Sequence, residues 1–281
     1  MAQEKKKSYA EIIAEEFISN LEKGTSFLQK RWEAGELVAP YNAISGKPYR
    51  GVNNMRLTEK RHGDPRWLTF LQASQIGGKV RKGEKGTPIL YWVFEERKRA
   101  RDEETGKPLF DEDGNPKYEV IKLKKPKAIR SIVFNASQID GIPEYKPEIR
   151  DPNLVNSRVE KIIENLGVVV RNNYQDRAFY SPRLDEIHMP NFDQFKDPNA
   201  YYSTLLHEGV HSTGHETRMN RDFGSQFGDV RYAKEELRAE IASYMLSQKL
   251  GVEFDPNHHY AYVNSWIKAL KEDPREVIRA C

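Results

Sequence analysis

The residues best suited to chemistry lie in LLHEGVHSTGH, residues 205–215 of the 281-residue sequence. In a helix, His207 and His211 are four residues apart and present both imidazoles to one point, as a tetrahedral zinc ion requires. Glu208 lies about 100° around such a helix, where it can reach a water molecule without being a ligand. The spacing is typical of two zinc ligands and one catalytic general base. The alternative is a helix whose histidines only form hydrogen bonds in a core.

A third ligand distinguishes the two interpretations, and the segment KEELRAEIASYML supplies candidates. Glu236 and Glu240 are four residues apart and border an apolar stripe that would bury this face of a helix. Buried carboxylates are unfavourable unless a positive charge meets them. We therefore predict Glu236 as the third ligand and Glu240 as the acceptor for an N–H of a ligating histidine, which fixes its tautomer. The reverse assignment of the two glutamates is the alternative.

His215 is a further candidate ligand, but Gly214 is expected to end the helix before it, so we expect His215 at the rim of a cleft. Three protein ligands leave one position of zinc open, as in catalytic sites. Glu208 would then take a proton from an activated water molecule and return it to a leaving amine, which predicts a zinc metallopeptidase. The strand at residues 185–189 could pair its edge with an extended peptide.

The elements that must position these residues can be predicted from local signals. Asp197 and Pro198 form a helix start for the segment that carries the histidines, and Gly251 stops a later helix from residue 232. An amphipathic helix at residues 154–167 and strands at 168–171 and 185–189 precede them. A last helix is expected at residues 260–271, after His258 and His259, which we expect at the surface.

The first half of the chain has a different pattern. Ser8 can cap an amphipathic helix over residues 8–31, and RWLTFLQASQIGG, residues 66–78, predicts a short helix ended by two glycines. Strands are expected at residues 87–94 and 130–139, with a charged β-hairpin over residues 95–127 between them. A proline-rich linker at residues 141–153 then places a domain boundary near residue 145, giving domains 1–145 and 146–281.

Charge is distributed unevenly between the halves. Residues 1–150 hold 29 Lys and Arg against 22 Asp and Glu, a balance of +7, whereas residues 151–281 hold 16 against 20, a balance of −4. A basic module with a polyanionic partner is one interpretation, and an ordinary solvated surface is the other. Between residues 41 and 94 aromatic residues alternate with cations, as single-stranded nucleic acid binding requires. The candidate DNA-binding residues are Tyr49, Arg50, Arg66, Trp67, Lys79, Arg81, Lys82 and Lys85.

The composition excludes some locations. No apolar run approaches the ~20 residues that cross a bilayer, and the N-terminus has no apolar core of signal-peptide length. The single cysteine, Cys281, has no partner within the chain, so a reducing cytoplasm is the expected location.

Several blocks together carry a resemblance to a known family: PYNAISGKPYRGVNNMRL, DPRWLTFLQASQIGGKVRKGEKGT, VFNASQIDGI, YYSTLLHEGVHSTGHETRMNR and EELRAEIASYML. They are similar to the ArdC-type antirestriction proteins of conjugative plasmids and other mobile elements, over nearly the whole chain. Glu236 to Glu240 is also similar to the E-x-x-A-D of several gluzincins, which favours Glu236 as a ligand. One departure is the end at Cys281, within what resembles a longer terminal helix.

The resemblance implies an α+β protein with two domains, a mixed α/β domain that binds single-stranded DNA and a zincin-like metallopeptidase domain. Such a protein would protect incoming DNA from restriction in a recipient bacterium, with a protein of the host as a further partner if it cleaves one. The alternative is a DNA-binding protein in which the zincin domain is a non-proteolytic scaffold. A third hypothesis is a zinc nuclease or another hydrolase that uses the same water.

Overall fold

The computed structural model describes residues 7–29, 38–147, 152–224, 229–254 and 262–281. The elements of the first half are α1 (Tyr9–Glu22), β1 (Tyr41–Asn42), α2 (Gly51–Thr58), β2 (Arg66–Thr69), α3 (Phe70–Gln75), β3 (Lys79–Val80), β4 (Thr87–Arg99), β5 (Tyr118–Asn135) and β6 (Ile139–Asp140). Those of the second half are α4 (Pro152–Leu166), β7 (Val169–Asn173), β8 (Phe179–Ser181), β9 (Glu186–Pro190), α5 (Pro198–Ser212), α6 (Val230–Leu250), α7 (Val263–Glu272) and α8 (Glu276–Arg279).

A four-stranded sheet in the order β1-β2-β5-β4 organises the first half. Strands β4 and β5 pair antiparallel from Thr87 opposite Val133 out to Arg99 opposite Tyr118, with a bulge between Val93 and Glu95. Strand β2 reaches only Val133 to Asn135 of β5, so the rest of the β4–β5 pair extends from the sheet as a two-stranded ribbon that is exposed beyond the bulge. The strand predicted at residues 87–94 and the charged hairpin that follows are therefore confirmed.

The helix predicted for residues 66–78 is only partly right, because a strand occupies its first four residues. Trp67 and Leu68 are buried in β2, and α3 begins after Thr69. The start is set by a capping box: the Thr69 hydroxyl accepts a hydrogen bond from the backbone of Gln72, and the Gln72 side chain accepts one from the backbone of Thr69. The first helix also ends earlier than predicted, at Glu22, although Ser8 caps it as expected.

A three-stranded sheet in the order β7-β9-β8 lies beside the helices of the second half. Strand β9 pairs in parallel with β7 on one side and antiparallel with β8 on the other. The prediction that residues 185–189 offer a free edge is therefore wrong, since both edges of that strand are paired. Its antiparallel neighbour β8, which precedes it in the chain, was not predicted because three residues are too few to show an alternating pattern.

Two packed cores meet at helix α6. One core joins β-sheet residues with α4 and α5, through Val159, Ile187 and Leu206 among others. The other joins Ile13 and Phe17 of α1 with residues of α6, α7 and α8, so it draws on both sides of residue 145. The domain boundary near residue 145 stays a prediction. The buried residues of this second core hold α1 against the C-terminal helices.

Across the ranges given above, none of the helices has the length and apolar composition that a bilayer crossing needs. The surface position predicted for His258 and His259 falls outside the described residues.

Candidate metal centre

Helices α5 and α6 bring His207, His211 and Glu236 to one place. One donor atom from each residue lies within 4.8 Å of the others. The Nε2 atoms of the two histidines are 3.2 Å apart, and the Glu236 carboxylate oxygens lie 3.6 Å from that of His211 and 3.8 Å from that of His207. Two imidazole nitrogens and a carboxylate oxygen are donors that suit zinc and related divalent ions. The chemistry of the donor set fits a divalent metal ion.

Local sequence explains how α5 holds the two histidines. Asp197 caps the helix by accepting a hydrogen bond from the backbone N–H of Ala200, and Pro198 occupies the first turn. Gly209, between the histidines, faces α4 so closely that an added Cβ would lie 2.6 Å from Ile163 Cδ1. The glycine therefore lets α4 pack directly against the helix that carries the histidines.

The other nitrogen of each histidine faces a carboxylate from α6. Glu240 Oε1 lies 3.4 Å from His207 Nδ1, which suits the acceptor role predicted for it. Glu235 Oε1 lies 3.2 Å from His211 Nδ1, a contact that the sequence did not reveal. Burial lowers the pKa of His211, but the hydrogen bond to Glu235 and the charges of Glu236 and Glu208 outweigh it and raise the pKa to about 9.

Glu208 lies next to the cluster without joining it. It is 7% exposed, and its carboxylate accepts a hydrogen bond from the backbone N–H of Tyr180 in β8. Burial raises the pKa of Glu208 to about 7, and the negative charges of Glu236 and Glu240 act in the same direction. A carboxylate with this pKa can both accept and release a proton near neutral pH.

A cleft of about 850 Å³ opens over these residues. Strand β8 contributes Phe179 and Tyr180 to its wall, and Tyr232 and Tyr262 line another part with their hydroxyls 3.5 Å apart. The cleft has the size of a ligand site, and its strand wall carries backbone groups that could pair with a peptide.

His215 contacts side chains other than those of the three-residue cluster. Its Nδ1 lies 2.8 Å from the Thr217 hydroxyl and 3.7 Å from the Asp185 carboxylate. The helix ends at Ser212, so the backbone turns before His215 as the sequence predicted. Within the described residues His215 is not part of the group that could hold a metal ion.

The candidate DNA-binding residues separate into exposed and buried groups. Trp67 is 1% exposed and packs among Leu57, Ile89 and Val133, so the prediction that its ring stacks on a base is wrong. Arg66 is held by an ion pair with Asp64. The exposed candidates are Arg50, Lys79, Arg81, Lys82 and Lys85, whereas Tyr49 is half-buried against the same core as Trp67.

An exposed surface that the sequence did not single out lies beside the basic loop at residues 79–86. Trp92 is 59% exposed. Side chains alternate between the two faces of a strand pair, so Trp92 and Ile132 lie on the same face, opposite to the face that carries Ile89. Phe70 of α3 contacts Phe134 at 6.4 Å between ring centroids. We call Phe70, Trp92 and Phe134, together with the aliphatic Ile132, the aromatic stripe. An added Cβ at Gly86 would lie 2.3 Å from Ile132, so the loop borders the stripe directly.

In this fold, a zincin-like domain with a candidate metal centre follows a mixed α/β domain that has a basic surface loop. Residues 157–281 match the family model of a zincin-like metallopeptidase, and residues 7–127 match that of the N-terminal domain of anti-restriction factor ArdC. The chain belongs to the ArdC family of antirestriction proteins. The predicted family and the α+β fold class are thereby confirmed.

The metal-free crystal structure of the antirestriction protein ArdC from plasmid R388 is 33% identical, with a TM-score of 0.69, and the match covers 98% of this chain and 93% of that one. The Mn(II)-bound structure of that protein gives 32% and 0.67 over the same coverage. Two Escherichia coli proteins named DNA primase TraC are 47% and 44% identical over 99% of this chain, which spans only 26% and 19% of their length. Protein y4eC of Sinorhizobium fredii is 33% identical over 96% of this chain and 87% of its own length.

Proposed function

We propose that this protein binds single-stranded DNA and carries a zinc-dependent peptidase site, and that it protects incoming mobile-element DNA from restriction. One observation carries the peptidase part: His207, His211 and Glu236 converge beneath an open cleft, with Glu208 beside them. A purely structural metal site needs no buried general base at that position.

His207, His211 and Glu236 would hold the metal ion through two nitrogens and one oxygen. When bound, a divalent cation polarises a carbonyl group and makes water a better nucleophile at neutral pH. The related ArdC protein of plasmid R388 has a Mn(II)-bound crystal structure, which supports a divalent ion as the cofactor. The nitrogen-rich donor set favours zinc over manganese.

Glu208 is the residue placed to move the proton. Its carboxylate would accept a proton from the attacking water and donate it to the leaving amine nitrogen. Glu208 lines the cleft together with the three proposed ligands. Residues Phe179 to Ser181 form an outer strand of their sheet within the described residues, and this strand would hold the substrate chain in an extended conformation.

The Glu208→Gln variant tests the peptidase proposal against the scaffold alternative. The amide keeps the shape of the side chain but cannot accept the proton, so we expect unchanged metal content and melting temperature with at least about 100-fold slower hydrolysis. The readouts are metal analysis, turnover of candidate host proteins and plasmid transfer into a restricting recipient. If transfer is protected equally well by Glu208→Gln, proteolysis is not the mechanism.

Glu216→Gln is the matched control for that experiment. Glu216 is an exposed glutamate in the turn after α5, eight residues from Glu208, and it takes no part in the cluster. The same amide substitution there should leave hydrolysis and transfer at the wild-type level. A similar loss in both variants would show that the effect is not specific to the general base.

The basic loop and the aromatic stripe support the DNA-binding part of the proposal. Lys79, Arg81, Lys82 and Lys85 provide cations for phosphates, and the adjacent stripe provides faces on which bases can stack. The full-length chain should bind a fluorescent single-stranded oligonucleotide with an affinity that falls steeply as salt rises. An affinity that does not change with salt would contradict the electrostatic part of this proposal.

A further inference from the structure

We propose that Glu235 and Arg221 form a positioning pair that holds the His211 imidazole with Nε2 directed at the metal site. Neither residue is a ligand in the proposed site, and the inference rests on that site being a metal centre. It assigns a role to a buried carboxylate and to a loop arginine that the peptidase mechanism itself does not use.

The carboxylate of Glu235 fixes the orientation of the ring. Glu235 is 1% exposed, and its Oε1 lies 3.2 Å from His211 Nδ1. When Nδ1–H donates this hydrogen bond, the lone pair remains on Nε2, the atom that lies 3.6 Å from the Glu236 carboxylate. A ring without this contact could rotate or adopt the other tautomer, and either change removes a donor from the metal site.

Arg221 holds the Glu235 carboxylate in turn. Its Nη2 donates to Oε1 at 2.7 Å and its Nε donates to Oε2 at 2.9 Å, which is a two-point contact. The same guanidinium donates to the Val210 carbonyl at 2.8 Å and to the Thr213 hydroxyl at 2.7 Å. Arg221 therefore ties α6 to the end of α5, the helix that carries the two histidines.

These contacts also explain why Glu236, and not its neighbour, belongs to the ligand group. Both oxygens of Glu235 face Arg221, and one of them also faces His211, so the carboxylate is held away from the Nε2 side of the imidazoles. Glu236 is the glutamate whose oxygens approach both Nε2 atoms. Adjacent positions on α6 point about 100° apart, so one helix can supply a ligand and a holder for a ligand.

The test compares Glu235→Leu and Glu235→Gln in the full-length protein. Leucine cannot accept the hydrogen bond, whereas the amide oxygen of glutamine can. We expect zinc affinity, measured by competition with a chromophoric chelator, to fall about 10- to 100-fold for Glu235→Leu and to be largely restored for Glu235→Gln. The visible absorption bands of the Co(II)-loaded protein should change for Glu235→Leu and resemble wild type for Glu235→Gln.

Glu276→Leu is the matched control. Glu276 is likewise 1% exposed and bound to an arginine, since Arg238 Nε donates to it at 2.6 Å, but it lies outside the group of residues around the two histidines. This variant should lose stability, measured as the melting temperature of the metal-free protein, without losing zinc affinity. If Glu276→Leu weakens zinc binding as much as Glu235→Leu does, the pair acts through general stability and the inference is wrong.

Arg221→Lys provides a second variant that keeps the positive charge. Lysine cannot make the two-point contact and also reach the Val210 carbonyl, so we expect zinc affinity between those of wild type and Glu235→Leu. Unchanged zinc affinity and Co(II) bands in Glu235→Leu would overturn this inference while leaving the metal site intact. A wild-type protein that binds no divalent ion would overturn the proposed metal site and this pair with it.

Discussion

The candidate metal centre and the proposed DNA-binding face differ in how their side chains are held. The centre consists of buried and half-buried side chains from two packed helices, with each histidine nitrogen facing a carboxylate at 3.2 to 3.8 Å. The proposed face consists mainly of exposed side chains on a loop, on α3 and on the β4–β5 pair, most of which do not pack in a core. Residue spacing in the sequence therefore predicts which side chains meet where a helix packs against a neighbouring helix. It predicts much less about which side chains are exposed on an open sheet surface.

Two tryptophans show why composition alone does not identify the residues of the proposed DNA-binding face. Trp67 and Trp92 both lie in the stretch between residues 41 and 94 that mixes aromatic residues with cations, and only Trp67 was predicted to contact DNA. The structure buries Trp67 in the core and leaves Trp92 59% exposed. Register in the sheet determines which face of a strand meets the core, and the sequences of β2 and β4 alone do not reveal that register.

The largest expected effect concerns the centre. His207→Ala removes one of three proposed ligands, and we expect the protein to bind zinc at least about 100-fold more weakly, a larger loss than for a residue that only holds a ligand. Metal analysis after dialysis and a chelator competition measure it. A stoichiometric ion retained with wild-type affinity would refute the ligand assignment, and His215→Ala, which changes a histidine outside the cluster, should retain it.

The next largest effect is expected from replacing each of the two tryptophans, which tests the buried core around Trp67 and the exposed stripe that contains Trp92. Trp67→Ala should reduce the free energy of unfolding by about 3–5 kcal/mol, because it removes a buried ring. Trp92→Ala should change it by less than about 0.5 kcal/mol, yet reduce single-stranded DNA affinity by about 1–3 kcal/mol. Chemical denaturation and oligonucleotide binding measure the two quantities. Equal loss of affinity in both variants, once matched for the folded fraction, would remove the stripe from the proposed interface.

A smaller effect is expected from the basic loop. Replacing Lys82 and Lys85 together by alanine should make the logarithmic salt dependence of single-stranded DNA binding less steep, by about 0.7 for each phosphate that the variant no longer neutralises. Replacing Lys161, an exposed lysine of α4, should leave that slope unchanged. If the Lys161 variant alters the slope as much as the double variant, the cations of this loop do not define the interface.

The smallest effect tests the contact between α1 and the end of α2. Burial raises the pKa of Glu59 to about 7, although Ser26, Asn20 and the backbone of Phe27 donate hydrogen bonds that oppose the shift. The folded state therefore favours the protonated acid, so the contribution of Glu59 to stability is full below about pH 4.5 and falls as the pH rises through about 7. The difference in unfolding free energy between wild type and Glu59→Gln should change across that range. A constant difference would contradict the shifted pKa.

Local signals in the sequence were sufficient for many of the elements and for the residues of the centre. Ser8 and Asp197 cap helices α1 and α5 as predicted, and Gly251 ends α6 with a positive φ of 87°. The four-residue spacing places His207 and His211 on one face because helix geometry alone requires it. The two glutamates were found because carboxylates beside an apolar stripe need a positive partner.

Other features depend on contacts between distant parts of the chain, and only the tertiary structure determined them. Glu235 is 24 positions from His211, and the local pattern that singled out Glu236 and Glu240 does not reveal its contact with that histidine. The packing of α1 against the C-terminal helices joins residues more than 200 positions apart, so a cut at residue 145 would expose the core that they share. Hydrogen bonds within a turn of helix are set by nearest neighbours in sequence, whereas pairings across the core arise only when the helices pack.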